Sequence, residues 1–296
     1  MSGLGRRIGL PLMLVTGGSQ YALAGEGQTA LASVELIQGK PEPGLAGLPR
    51  GAPRAVMYYK GRASTPSCGL LPGSSAAKMI TPILETESTE SFPYCLAITE
   101  GAAFSLQGAR YFVFGYRQRD TREDSSSGYF FVRQSSDALL PLEKLNGETT
   151  PERKSIQYMA SWAKSSLVSL NNEKDSYRTE TSNSIVMDSA FLNVSRNEAT
   201  GSCRTVVDST AADSGFAPVT TSCKAILATT ALTSGSSSYF IVLMAPEDRQ
   251  PKGQIFAVSG NAVREDSELE KKVGVEISSG KVLNVKAALR KMAEAH

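Results

Sequence analysis

One stretch of this chain is written twice, and two copies of one sequence fold to one backbone plan. Residues 95–132 open with Cys95, Ala97 and Ile98, and the same Cys-x-Ala-Ile start returns at Cys223, Ala225 and Ile226. A Tyr-Phe pair follows sixteen residues after each cysteine, Tyr111-Phe112 in the first copy and Tyr239-Phe240 in the second. Upstream, Ala55 stands thirteen residues before Cys68 and Ala190 thirteen before Cys203, with Thr65/Thr200 and Ser67/Ser202 matching between them. These spacings predict two similar modules, residues 55–171 and 189–296. Residues 172–188 are polar, have no apolar period, and read as the linker between them.

Within the copies, Tyr111-Phe112-Val113-Phe114 and Tyr239-Phe240-Ile241-Val242-Leu243 are apolar at odd and even positions alike, the pattern of central strands covered on both faces. Residues 55–59, 96–99, 104–106 and 128–133 read as further strands of the first copy, and 224–232 and 254–258 as strands of the second. Each copy then turns helical. Ile156, Met159, Ala160, Ala163, Leu167 and Leu170 form one stripe at helical spacing, as do Val282, Val285, Leu289 and Met292. The expected fold class is α+β: two tandem modules, each an antiparallel sheet with one or two helices on a face and one internal disulfide.

Residues 1–24 read as a secretory signal, with Arg6 and Arg7 before a short apolar run and Ala22-Leu23-Ala24 at a cleavage-type spacing. That run is far shorter than the roughly 20 residues that cross a bilayer, so no membrane span is expected in the mature form. Removing the segment takes two arginines and no acid from a formal charge of +2, leaving 0. A neutral chain lacks the basic footprint of a nucleic-acid binder, and no nucleic-acid partner is expected. Residues 25–54, rich in proline and glycine, read as a linker or strap, with an edge strand or short helix possible at 31–37. In a periplasmic or extracellular setting the four cysteines are expected to form disulfides. Of the three pairings, the repeat favours Cys68 with Cys95 and Cys203 with Cys223. The crosswise pairs, Cys68 with Cys223 and Cys95 with Cys203, respect it second best.

The chain has one histidine, His296, the last residue, so a histidine-based nucleophile or zinc site has no positioned base or ligand, and neither metal nor cofactor is expected. A serine activated by lysine remains. Ser161-x-x-Lys164 and Ser75-x-x-Lys78 place hydroxyl and amine on one helix face, and Ser259-Gly260-Asn261 resembles the second element of the penicillin-recognising serine enzymes. Lys272-Val273-Gly274 stands loosely for their Lys-Thr-Gly. That resemblance implies a serine–lysine hydrolase, an alternative beside a carrier of a small apolar ligand held between sheet and helices. Asp120, Glu123 and Asp124 lack the alternating spacing of a calcium loop.

The leading expectation is a non-catalytic exported protein of the bacterial envelope that binds another protein: an inhibitor, an immunity protein or an accessory subunit of an envelope assembly. Its candidate contacts are Arg117, Arg119 and Arg122 at a hairpin tip, with Arg249 at the equivalent tip of the second copy. The two tips diverge while their strands match, as loops of different duty on one scaffold do. Arginine is the side chain suited to bidentate contact with a partner's carboxylates or phosphates. The competing reading of this tip is a solvated turn closed by internal ion pairs.

Overall fold

The computed structural model describes residues 34–37, 45–60, 66–72, 78–82, 93–147, 154–174, 179–210, 218–235, 237–246, 250–260 and 262–294. The expected signal segment, Ser75, Arg249 and His296 lie outside them.

The chain is mostly antiparallel sheet, with few helices. In the first copy β1 (Val34–Ile37), β2 (Arg54–Lys60) and β3 (Ser67–Leu71) make one sheet in that order. A second sheet is a meander of β4 (Tyr94–Leu106), β5 (Ala109–Arg119), β6 (Ser125–Ser135) and β7 (Ala138–Pro141), followed by α1 (Glu143–Gly147) and α2 (Ile156–Lys174). The second copy repeats the plan. Strands β8 (Thr179–Val186), β9 (Ala190–Asn197), β10 (Ser202–Ser209) and β11 (Val219–Ser222) form one sheet in the order β11-β10-β9-β8. A meander follows of β12 (Ala225–Ser234), β13 (Ser237–Ala245), β14 (Lys252–Ser259) and β15 (Ala262–Glu265), and then α3 (Ser267–Lys272), α4 (Gly274–Ser278) and α5 (Val282–Glu294).

Each module therefore has two sheets and a helical layer, where the sequence reading had one sheet. The continuously apolar strands explain the layering, because β5 and β13 bury side chains on both faces. Toward the first sheet, Phe112, Phe114 and Val132 pack with Cys68, Leu70 and Cys95, as Phe240, Val242 and Phe256 pack with Leu192, Val194 and Cys203. Toward the helices, Val113 and Phe131 meet Leu145, Met159 and Ala163, as Ile241 and Ile255 meet Val273, Val285 and Leu289.

The repeat extends to backbone irregularities and to capping. The β4–β5 register slips between Ile98 and Glu100, and the β12–β13 register slips between Ile226 and Ala228, the matching place. The Phe131 N–H donates to Asn146 Oδ1 at 2.8 Å, and the Ile255 N–H donates to Glu270 Oε1 at 2.8 Å. Both acceptors come from the first helix after the meander, and both satisfy one strand amide.

Two sequence expectations change, and one open alternative is resolved. Residues 172–188 are not a linker: α2 runs to Lys174 and β8 occupies Thr179–Val186. The strand was hidden because, among its residues with described side chains, Ile185 packs on the intersheet core, with Met187 just beyond the strand, while Ser184 Oγ lies 2.6 Å from Ser165 Oγ of α2. The thirteen-residue match of Ala55 with Ala190 does not survive in the register. Ala55 pairs with Leu70 but Ala190 pairs with Ser209, because the β2–β3 connection spans Tyr58 to Ser67 and the tighter β9–β10 connection only Asn197 to Ser202. Of the alternatives for residues 25–54, the described part is the edge strand and the strap. Strand β1 pairs with β2, and Leu45, Leu48 and Ala52 pack as a strap on the first intersheet core.

Candidate functional site

Cys68 is bonded to Cys95 and Cys203 to Cys223, with Cα atoms 5.2 and 5.6 Å apart. Each bond ties the first sheet of its module to the beginning of the meander. Loops of 27 and 20 residues closed this way are worth about 3–4 kcal/mol in the chain-entropy account. Two disulfides suit an oxidising compartment. Among the described residues no helix is long and apolar enough to cross a membrane.

The β5–β6 tip bears the sequence-predicted arginines. Its backbone closes with the Asp120 N–H donating to Asp124 O at 3.0 Å, and Thr121 Oγ1 accepts from the N–H groups of Glu123 at 3.3 Å and Asp124 at 3.0 Å. Gln118 Nε2 donates to Asp120 Oδ1, and the Thr121 hydroxyl donates to Asp124 Oδ2. Arg119 belongs to this frame, since its Nη1 donates to Arg122 O at 3.2 Å. Arg117 and Arg122 are exposed. Among the described residues neither guanidinium has an ion pair, and no ion pair closes the tip, contrary to the reading of a turn held by internal pairs. Beneath the tip, burial pushes the Tyr116 hydroxyl above its ordinary pKa, and the charge of Asp120 adds to the rise. Gly128 leaves room for the Tyr116 ring, whose hydroxyl oxygen would lie 2.6 Å from a Cβ at that position.

The serine–lysine pair lies elsewhere and is built differently from a catalytic centre. Ser161 and Lys164 are 0% and 2% exposed, on the side of α2 that faces the second module. Ser161 Oγ donates to Asp188 O at 3.2 Å. Lys164 Nζ donates to Ser209 O at 2.7 Å and lies 2.6 Å from Asp208 Oδ2. Ser161 and Lys164 bond to other groups and not to each other, so no base is set against the hydroxyl, and a serine with no exposure meets no substrate. Ser259 and Lys272 are exposed at the ends of β14 and α3 and make none of these contacts. By strand register Ser259 matches Ser135 of the first copy. Sequence reasoning missed the partners Asp188 and Asp208; the one signal was an acid directly after Val206-Val207 in an apolar strand.

In the second module, Glu270 is the titrating group of note. Burial raises its pKa above the ordinary carboxylate value, the Ile255 N–H lowers it, and the charges of Glu265 and Asp266 raise it further.

No protein-family model and no curated protein matches the chain. A solved glycoside hydrolase of family 43, a beta-1,3-galactosidase with galactodeoxynojirimycin, aligns at 10% identity over 74% of this chain and 73% of its own, with a TM-score of 0.19. So slight a likeness carries no argument about fold or activity.

Proposed function

We propose that this is an exported, non-catalytic protein of the bacterial envelope, which binds another protein through loops carried on a duplicated, disulfide-braced scaffold. The β5–β6 tip is the contact, and the partner presents carboxylates or phosphates to Arg117 and Arg122. One observation carries the reading: a tip closed by its own hydrogen bonds holds up two arginines that pair with no described residue. Ordering such side chains on binding costs less when the backbone beneath them is already fixed. An inhibitor, an immunity protein and an accessory subunit all work through such a surface. The filled, hydrogen-bonded surroundings of Ser161 and Lys164 weigh against the hydrolase alternative.

The test is a pull-down from the native envelope fraction with wild type and with the Arg117→Ala/Arg122→Ala double variant. Wild type retains a partner in a salt-sensitive way, and the double variant, with unchanged thermal stability, loses about tenfold or more in affinity for it. Equal retention by both proteins removes the tip from the interface. Turnover of an ester or β-lactam that disappears in Ser161→Ala would replace the proposal with the hydrolase.

A further inference from the structure

Beside the arginines, the β5–β6 tip has an open strand edge. Strand β6 lies between β5 and the short β7, and its outer edge is covered only where β7 and α1 reach it. Arg133 pairs with Leu140 of β7. Phe131 accepts the Leu142 N–H on its carbonyl at 3.0 Å and donates its own N–H to Asn146 Oδ1. The backbone groups of Phe131 therefore point away from β5, and the two-residue period of a strand turns those of Ser127 and Ser125 the same way. The bond from the Asp120 N–H to Asp124 O fixes the alternation independently, since it makes Asp124, and with it Ser126 and Gly128, the residues that bond to β5. Ser125, Ser126 and Ser127 are exposed, and among the described residues none bonds to the outward N–H and C=O groups of Ser125 and Ser127.

The second copy closes the same edge. Ile255 holds the place of Phe131, with Glu270 as its cap, so Pro251 holds the place of Ser127. Proline has no N–H to offer a further strand, and it is one of the residues that guard sheet edges against other chains. A Cβ at Gly280 would lie 3.4 Å from Pro251 Cγ, so the ring also sits against the turn that leads into α5. The cross-strand neighbour changes with it. Arg117 faces Ser127, whereas Ala245 stands four residues beyond Ile241 as Arg117 stands four beyond Val113. The open edge and the arginine occur together in one copy and are both missing from the other.

We infer, on the reading of the tip as a contact for carboxylates, that the partner docks as an extended acidic segment, which adds a strand to β6 at Ser125–Ser127 and presents Asp or Glu side chains to Arg117. Strands stand about 4.8 Å apart, so the backbone of the added strand lies about 10 Å from that of β5. Only the small Ser127 side chain stands between, on the face that carries Arg117, and an arginine and a glutamate together span that distance. Main-chain bonds to the edge supply affinity, and the alternate side chains that meet the guanidinium supply selectivity. So short a template binds an isolated peptide weakly, at a Kd of about 0.1–1 mM.

The test is an amide-shift NMR titration of the disulfide-bonded protein with three blocked heptapeptides: alternating glutamate and threonine, the same peptide N-methylated at every residue, and a version with lysine for glutamate. The acidic peptide is expected to shift the Ser125 and Ser127 amides and slow their exchange with solvent, with the other two about tenfold weaker or more. Ser127→Pro, a residue that the matching Pro251 shows the scaffold to accept, weakens the acidic peptide about fivefold or more while Arg117 stays in place. The N-methylated peptide needs no variant, so it decides the question even if Ser127→Pro melts early. Equal binding of the N-methylated or the lysine peptide, no binding of the acidic one at millimolar concentration, or shifts elsewhere overturns the added strand. A dimer of the free protein that Ser127→Pro dissolves does the same, by assigning the edge to a second copy. In the envelope pull-down, a partner lost by Arg117→Ala/Arg122→Ala but retained by Ser127→Pro overturns the added strand and leaves the tip as the contact. A partner retained by both removes the tip as well.

Discussion

Helices α2 and α5 hold the same place in the two modules and differ in what lies on their outer side. Ile156, Met159 and Ala163 of α2 and Val282, Val285 and Leu289 of α5 keep one spacing, and both rows pack on the meander beneath. The outer side of α2 is used a second time. Ser161, Lys164, Ser165 and Ser169 bond to Asp188, Asp208 and Ser209, Ser184, and Asn193 of the second module. Matching by core spacing, Ser161, Lys164 and Ser165 correspond to Ala287, Arg290 and Lys291 of α5, all exposed. Helix α2 is thus a strut clamped between modules, and the matching side of α5 is an exposed, charged face.

That contrast is sharpest at the matched pair Lys164 and Arg290. Asp208→Ala leaves Lys164 as a buried cation with only the Ser209 carbonyl, and is expected to cost about 3–5 kcal/mol in urea unfolding. Arg290→Ala is expected to change stability by less than about 0.5 kcal/mol. Replacing both charges, as Lys164→Met with Asp208→Leu, should recover most of the loss, because what costs is the unpaired charge and not the absence of the bridge. If Asp208→Ala costs under about 1 kcal/mol, α2 is no clamp and the modules are more independent than described.

The same contrast marks where sequence reading succeeded and failed. The helical stripe and the doubly apolar strands β5 and β13 were legible because apolar period reports one thing, burial against an apolar layer. Strand β8 was not legible, since it packs on a polar helix side through Ser184, and a polar strand facing a polar helix has no apolar alternation. Cysteine spacing identified pairs within each copy, yet the equal spacing at Ala55 and Ala190 misled, because a loop-length difference shifts register without leaving a mark. The arginine tip was visible as composition. The absence of ion pairs there, and the open edge of β6 beside it, are matters of geometry that no spacing encodes.

A second comparison concerns the space between meander and helices. In the first copy Gly115 faces Tyr129 across the strands, and in the second Leu243 faces Gly253. Each copy places one large residue and one glycine there, on opposite strands. A Cβ at Gly253 would meet Ile277 Cδ1 at 2.8 Å and Cγ1 at 2.9 Å, inside the core. Gly253→Ala is therefore expected to cost about 1–3 kcal/mol by thermal unfolding. At Gly115 the nearest atom is the Glu100 Cγ at 2.7 Å, on a half-buried flexible arm that can swing away, so Gly115→Ala should cost less than about 1 kcal/mol. Equal costs would mean that the two copies fill this space alike.

The smallest expected effect separates Asn146 from Glu270, which cap the same strand amide with a neutral and an ionisable group. Glu270 titrates above its ordinary 4.5 in the folded protein, chiefly because burial disfavours its charge, with Glu265 and Asp266 adding to the rise. A raised folded pKa means the native state holds the proton more tightly than the unfolded chain. The stability this gives is fully present below the unfolded value and is lost as pH rises through the folded one. At neutral pH the ionised carboxylate is therefore a burden, and Glu270→Gln, which keeps a carbonyl oxygen for the Ile255 N–H, should stabilise slightly, by well under about 1 kcal/mol once solvent screening of this half-buried group is allowed for. Wild type and variant should converge in chemical denaturation below about pH 4.5. Asn146→Asp runs the experiment in reverse. It puts an acid where the first copy has none and also removes the Nδ2 donor to Phe131 O, so it should destabilise more at neutral pH than in acid. Loss of stability in Glu270→Gln at neutral pH would show that the charge-assisted bond to Ile255 outweighs the burial of the carboxylate, and that the two copies chose their caps for strength rather than for proton response.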